Sequence, residues 1–316
     1  MITAEVQLKL KKQQYGVVGN HTRVKVCHWT KSDIKGDGGC YKSKFYGINS
    51  SQCLQMTPTF SCNNACVFCW RDLRYHTEPA MEGGIDDPAE IVKGTIEMQR
   101  TLLSGFGGNE SADKEKYKMA KQPRHVAISL DGEPTLYPKL KELIREYKKN
   151  GFSTFLVSNG LVPERIEQLY DEPPTQIYIS VDAPNEQLFN EIDRPIIKDA
   201  WQGLYRTLSL LPKMRKKMRT VLRFTIIKGI NDIYPEQWAE IIKLSNPMFI
   251  EVKSYMWVGM SRERLKRGNM MTHKEIREFS LEIAKHSGYK LIDEQEVSRV
   301  VLLMKEDFDG RVMEFD

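Results

Sequence analysis

Three cysteines fall within eight residues in Ser61-Cys62-Asn63-Asn64-Ala65-Cys66-Val67-Phe68-Cys69-Trp70, at the spacing C-x3-C-x2-C, and none follows Cys69. Three thiolates on so short a loop can hold three corners of a cubane iron–sulfur cluster. With no fourth cysteine downstream, one iron keeps an open position, which suggests chemistry on a bound ligand more than structure alone. A plain electron-transfer cluster or a zinc site would draw on the same residue types.

The other three of the six cysteines are Cys27, Cys40 and Cys53, with twelve residues in each interval. Disulfides in a secreted chain of 316 residues would not all crowd into its first quarter. Zinc modules pair their ligands at two to four residues, and none of these three has such a neighbour. The equal long spacings suggest three ligands gathered by folded loops, with His28 able to complete a Cys3His zinc site. No stretch approaches the roughly 20 apolar residues of a membrane span. The start, Met1-Ile2-Thr3-Ala4-Glu5 and then Lys9, Lys11 and Lys12, has no apolar run that could serve as a signal peptide, so the expected compartment is the cytoplasm.

A helix is expected over Glu5–Gln14, with a loop at Gly16 and Gly19. Asp86-Asp87-Pro88-Ala89-Glu90 opens another that runs to about Leu103. Ser104-Gly105-Phe106-Gly107-Gly108 has no strand before it and reads as a helix-ending loop, not a phosphate cradle. Strand patterns recur at 54–60, 125–130, 153–157, 176–181, 221–227 and 249–254, each followed by a crossover that is or contains a helix. Such alternation predicts a parallel sheet with helices outside, either doubly wound or curled into a barrel. Helix 272–286 and strands 289–292 and 299–304 would extend or cap it.

Chemistry in parallel α/β folds collects at the carboxyl ends of the strands. There lie the cysteine loop, Asp131-Gly132-Glu133-Pro134-Thr135, Ser158-Asn159-Gly160, Asp182-Ala183-Pro184, Lys228-Gly229-Ile230-Asn231-Asp232 and Tyr255-Met256-Trp257. Each alone could be a turn; together on one rim they describe a site. Two basic runs stand out against a net charge of only +5: 213–219, and Arg262, Arg264, Lys266 and Arg267. Either could be a solvated face or a phosphate-backbone surface. The first precedes a strand and so falls at the opposite rim.

The cysteine loop with Phe68 before its last cysteine resembles the radical S-adenosylmethionine superfamily. The resemblance covers roughly 54–255. It implies a six-stranded partial (β/α)6 barrel of the TIM type, with an N-terminal extension (1–53), the barrel (54–260) and a C-terminal extension (261–316). Gly132 and Glu133 match the element that receives the methionine amino group, although Asp131 replaces its first glycine. Ser158 and Asn159 match the segment near ribose and carboxylate, and Asn231 lies in the segment that contacts adenine. The resemblance implies a 4Fe–4S cluster on Cys62, Cys66 and Cys69 whose open iron chelates S-adenosylmethionine, for radical removal of an unactivated hydrogen.

With the upstream C-x12-C-x12-C, Cys40-Tyr41-Lys42-Ser43-Lys44-Phe45-Tyr46-Gly47, Cys69-Trp70-Arg71, Ser129 to Thr135, Lys253-Ser254-Tyr255-Met256 and Ser261-Arg262, nearly the whole chain resembles the tRNA 4-demethylwyosine synthases. That family closes a third ring on N1-methylguanosine beside the anticodon of tRNA-Phe, using two carbons of pyruvate. The resemblance implies a second 4Fe–4S cluster on Cys27, Cys40 and Cys53 that chelates pyruvate. It also implies a Schiff-base lysine, with Lys42 first and Lys44 and Lys253 behind it, and an external ferredoxin or flavodoxin as donor. The tRNA contact is expected at 262–267, with the base splayed into the barrel mouth. A radical enzyme acting on a peptide or metabolite, or a tRNA-binding zinc protein, would share parts of this pattern.

Overall fold

The computed structural model describes residues 10–315. The chain enters through a short hairpin, β1 (Gly16–Val18) and β2 (Thr22–Val24), then two short helices, α1 (His28–Ile34) and α2 (Tyr41–Tyr46). Next come β3 (Cys53–Thr57), α3 (Pro88–Leu103), α4 (Lys114–Ala120), β4 (His125–Ile128), α5 (Leu140–Lys149) and β5 (Ser153–Ser158). The chain continues through α6 (Pro163–Gln168), β6 (Gln176–Ser180), α7 (Glu186–Ile192), α8 (Ala200–Met214), β7 (Arg219–Ile226), α9 (Pro235–Ser245) and β8 (Phe249–Ser254). It ends in α10 (His273–Ser287), β9 (Lys290–Gln295) and β10 (Val300–Met304). Of the expected first helix, residues 10–12 are helical and 5–9 lie outside the described residues. Among the described residues no helix is long and apolar enough to cross a membrane.

The strands form one sheet in the order β1-β2-β3-β4-β5-β6-β7-β8-β10-β9. Strands β3 to β8 are parallel, with Cys53 beside His125, Ala127 beside Phe155, and Arg223 beside Glu251. This is the expected six-stranded partial barrel, extended at each edge by an antiparallel pair. The hairpin and the two short helices replace the loop expected there. Each is shorter than the window over which a hydrophobic period can register.

Local chemistry sets the helix ends. Thr272 and Glu275 form a reciprocal capping box at the start of α10, and Gly288 closes it in the left-handed conformation. Leu140, Leu143, Ile144 and Tyr147 of α5 repeat at helical spacing and are buried against the sheet. Strands β7 and β8 are lined on both sides. Leu222, Phe224, Ile226, Ile250 and Val252 pack in the core shared with the helices, whereas Val221 and Phe249 alternate onto the other face. That inner face also carries Arg223, Glu251 and Lys253.

Helix α2 plugs this inner face. Tyr41, Phe45 and Tyr46 pack with Phe155, Tyr178, Val221, Phe249 and Leu302 in a separate apolar cluster. The fully buried Glu251 accepts hydrogen bonds from both tyrosines, at 2.8 Å each. Gly47 ends the helix with φ 80°, and a Cβ there would stand 2.0 Å from the carbonyl oxygen of Met313. Only glycine fits.

Removing the Tyr46 hydroxyl by Tyr46→Phe leaves one Glu251 oxygen without its donor. Chemical denaturation should show a loss of about 2 kcal/mol, while Tyr205→Phe, on an exposed side chain, should leave stability unchanged.

Candidate active site

The loop with Cys62, Cys66 and Cys69 follows the carboxyl end of β3 and is held from three sides. Cys62 N donates to His76 O at 2.7 Å, and Glu78 N donates to Cys62 O at 2.9 Å. On the second side Ala65 N donates to Asp193 O at 3.0 Å and Val67 N to Ile192 O at 2.8 Å. The third side is the segment after β8: Met260 N donates to Trp70 O at 3.0 Å, and Arg264 donates to the carbonyls of Val67 and Cys69. Backbone fixed this densely presents its thiols in a set arrangement.

Burial raises all three thiol pKa values, with Glu133 adding its charge at Cys62 and Asp193 at Cys66. Cys66 Sγ donates to Asp193 Oδ1 at 3.4 Å, and Cys69 Sγ lies 3.8 Å from His76 Nε2. Ligation to iron would hold such thiols deprotonated. Asp193 Oδ2, Asn63 Nδ2 and Asn64 Oδ1 are buried with no hydrogen-bond partner among the described residues. Unmatched polar atoms around buried thiols fit a site that takes a polar ligand.

Asp131, the departure from glycine, does not point at this site. Its carboxylate is buried between Arg23 Nη1 of β2, at 2.9 Å, and Arg71 Nη1 of the cysteine loop, at 3.0 Å. Arg71 also donates to Leu130 O at 3.0 Å and stacks on Trp70 with its guanidinium carbon 3.6 Å from the ring centre. The clamp therefore joins the hairpin, the loop after β4 and the cysteine loop. Arg71 and Asp131 both lie in the quoted motifs, and only their pairing was hidden from the sequence.

Gly132 has φ +62°, and a Cβ would stand 2.3 Å from Thr59 O. It brings the backbone against the strand that launches the cysteine loop, and Glu133 N donates to Ser61 O at 2.8 Å. The Glu133 carboxyl is buried, which raises its pKa, and hydrogen bonds from Asn159 and Thr135, then Ser158, oppose the shift. Oε1 accepts from Thr135 N, Thr135 Oγ1 and Ser158 Oγ, whereas among the described residues Oε2 accepts only from Asn159 N, at 2.7 Å. Oε2 keeps spare acceptor capacity. Asn159 Nδ2 also donates to Asn63 Oδ1 at 2.7 Å, so the ends of β4 and β5 meet the cysteine loop.

Asn231 is buried, and its carboxamide is committed to the backbone. Oδ1 accepts from Ile227 N at 2.6 Å, and Nδ2 donates to Asp182 O and Thr225 O at 2.7 and 2.9 Å. It shapes the ends of β6 and β7, with both amide hydrogens spent on carbonyls of those ends. Asp182, which the sequence places on the same rim, is raised to about 6 by burial, with Thr225 and Arg223 opposing.

The second triplet gathers as expected. Cys27 caps α1, Cys40 caps α2 and Cys53 begins β3, and all three line one hollow with Lys42, Trp29, Ala127 and Phe155. Burial pushes Cys40 up to about 11 and Cys53 to about 12, and the nearby Lys42 charge opposes both shifts. Lys42 Nζ lies 4.2 Å from the centre of the Tyr178 ring. Lys253 sits 5.2 Å from the Tyr41 ring, and its pKa is lowered to about 8 by burial and then by Arg223.

Lys44 does not join them. Its amine pairs with Asp293 at 2.7 Å on the outer side of α2. His28 is exposed and does not line the hollow. Among the described residues no three His, Cys, Asp or Glu side chains converge as one metal ion requires. A cubane instead spreads its cysteines over different irons, and each triplet, facing buried space beside cations or free polar atoms, fits that demand better.

Of the basic residues at 262–267, Arg262, Lys266 and Arg267 are exposed, with Arg262 4.8 Å from the Trp257 ring centre. Arg264 is instead a strut of the cysteine loop. Lys213 and Lys217 stand over Tyr170, away from the mouth.

Residues 56–243 match the family model for the radical SAM superfamily, and residues 244–305 match the model for wyosine base formation. The S-adenosyl-L-methionine-dependent tRNA 4-demethylwyosine synthase of Pyrococcus abyssi is 46% identical over 96% of this chain and 90% of its own. The Methanocaldococcus jannaschii protein of that name is 41% identical over 97% of this chain and 98% of its own. A solved structure described as TYW1 with a lysine-pyruvate adduct bound superposes with a TM-score of 0.88 at 39% identity, covering 99% of this chain and all of that one.

Asp131→Ala leaves Arg23 and Arg71 buried without their counter-charge. Denaturant unfolding should register a loss of about 3–5 kcal/mol, and the variant should retain less iron per chain after reconstitution.

Proposed function

The chain belongs to the S-adenosyl-L-methionine-dependent tRNA 4-demethylwyosine synthase family of radical enzymes, and from there we propose that it converts N1-methylguanosine beside the anticodon of tRNA-Phe into tricyclic 4-demethylwyosine with carbons from pyruvate. The observation that carries this reading is the second cysteine triplet, drawn with Lys42 onto one hollow inside the barrel whose rim carries the first. A radical enzyme that only generated its radical would need the rim triplet alone.

Cys62, Cys66 and Cys69 would hold the S-adenosylmethionine cluster, and Cys27, Cys40 and Cys53 a second 4Fe–4S cluster. When bound, the first with S-adenosylmethionine supplies hydrogen abstraction, and the second a Lewis acid for the keto acid's oxygens. Glu133 Oε2, with its spare acceptor capacity, suits the methionine ammonium, and the left-handed Gly132 lets the backbone approach. Ser158 and Asn159 hold Glu133 in place and line the same rim.

Lys42 is the residue to attack the keto carbon of pyruvate: a C–N bond forms and water leaves, giving an imine on the protein. The Tyr178 ring positions its amine. Arg223, on the same inner face, offers fixed positive charge for the pyruvate carboxylate. The base enters from the mouth, past Tyr255, Met256 and the segment with Arg262, Lys266 and Arg267. Once one of its hydrogens has been abstracted, the methyl carbon of the guanine joins the keto carbon, the bond from that carbon to the pyruvate carboxyl carbon breaks, and the exocyclic amine closes the ring by displacing the Lys42 amine. Lys253 is the second candidate for the nucleophile, because its buried amine is lowered to about 8. Electrons would come from a separate ferredoxin or flavodoxin, in the cytoplasm that holds the tRNA.

Anaerobic incubation with N1-methylguanosine-bearing tRNA-Phe, pyruvate, S-adenosylmethionine and dithionite should give the tricyclic nucleoside by mass spectrometry. Its absence would overturn the assignment. Wild-type protein should carry about eight irons and Cys27→Ala about four. Borohydride should trap labelled pyruvate on wild type and Lys44→Ala but not on Lys42→Ala. Persistence in Lys42→Ala with loss in Lys253→Ala would transfer the role to Lys253.

A further inference from the structure

The flank beneath the cysteine loop carries positive charge that the reaction described above does not use. Lys25 follows β2, Lys31 lies in α1, Lys35 caps that helix and Lys11 lies in the helical turn 10–12 before Tyr15. Among the described residues none of the four has a carboxylate within ion-pair distance. Lys31 Nζ donates to the amide oxygen of Gln14 at 2.7 Å, and Lys25 Nζ lies over the Tyr15 ring, 4.4 Å from its centre.

Two hollows follow these cations. One of about 400 Å³ is bounded by Arg23, Lys25, Trp70, Arg71, Gly259 and Met260. The other, of about 430 Å³, is bounded by Lys11, Lys31, Lys35, Gln14, Phe106 and Asn109. The first opens beside Trp70, where the segment that leads to Arg262 begins. Leu10 and Gln13 line the first hollow and Lys11 and Gln14 the second, so one short segment joins the two into a strip. Protein–protein interfaces are poor in lysine at their centres, whereas unpaired lysines spaced along a groove suit phosphates.

We infer that this strip is a second phosphate-backbone contact for the RNA substrate, continuing from the segment at 262–267 and gripping the strand that leads away from the target base. The inference rests on the tRNA reading above and adds to it a surface outside the barrel mouth. Opposed grips on either side of the cysteine loop would hold the anticodon arm while one base is drawn in.

The test uses the cluster-loaded enzyme and a Lys11→Gln/Lys31→Gln/Lys35→Gln variant, with Lys213→Gln/Lys216→Gln/Lys217→Gln as a control that removes equal charge at the opposite rim. Iron content and uncoupled S-adenosylmethionine cleavage with dithionite report intact folding and loading. Binding of methylated tRNA-Phe is followed by fluorescence anisotropy across a salt series. The strip variant should bind about tenfold more weakly near 0.1 M salt, with the log–log salt slope shallower by about two. The control should match wild type. Wild-type affinity and slope in the strip variant would overturn the inference. So would unchanged tRNA binding with loss of turnover driven by reduced flavodoxin but not by dithionite, which would assign the strip to an acidic electron donor. If wild type itself fails to bind the tRNA, the substrate reading falls and this inference with it.

Discussion

The arrangement of the rim depends on one buried carboxylate. Asp131 holds Arg23 from the hairpin and Arg71 from the cysteine loop at ion-pair distance, with its own side chain almost wholly withdrawn from solvent. Charges taken out of water need partners, and here one negative group serves two positive ones contributed by distant parts of the chain. The same residue lends its carbonyl to Thr57 Oγ1, at 2.5 Å, at the end of β3. The hairpin, the strand that launches the cysteine loop, the loop itself and the Gly132-Glu133 turn thus share one fixed point. A glycine here would supply the backbone and forgo the anchor.

β3 sets the relation between the two triplets. Cys53 opens the five-residue strand and Cys62 follows its far end, so eight residues separate the two triplets along the chain. At about 3.3 Å per residue, the strand is a rigid spacer between them. The inner faces of β6, β7 and β8 then supply Tyr178, Arg223 and Lys253 to the space this spacer defines. Chemistry that needs two reacting groups brought together is served by fixing both on one short strand of a barrel wall.

How much of this was legible in the sequence follows from what sequence patterns can carry. The strand expected at 249–254 coincides with β8, and the other five parallel strands agree within a few residues, because each is a short apolar and β-branched stretch bounded by turn-forming residues. The gathering of Cys27, Cys40 and Cys53 was legible from their spacing. Lys42 could be ranked ahead of Lys44 but not set on a different side from it, because that depends on α2 being a helix. Two residues apart on a helix, they face different sides, one toward the hollow and one toward Asp293. Six residues do not announce a helix; this one stands because Tyr41, Phe45 and Tyr46 fill the barrel. Arg264 read as one member of a basic run, and Asn231 as part of a segment near adenine. Each proved to be engaged with backbone carbonyls or amides that only the folded chain brings near.

The plug helix is clasped by the opposite end of the described chain. Met313 N donates to Tyr46 O at 3.0 Å, Arg311 donates to Phe45 O at 3.0 Å, and Val300, Leu302 and Met304 complete the apolar cluster around Tyr41 and Phe45. Cys40 and Lys42 are therefore seated only once β10 and the segment after it have packed. Among the described residues the hydrogen bonds that hold the rim loop come from segments up to Arg264. During synthesis the seat of the second triplet therefore stays open until the chain closes over it.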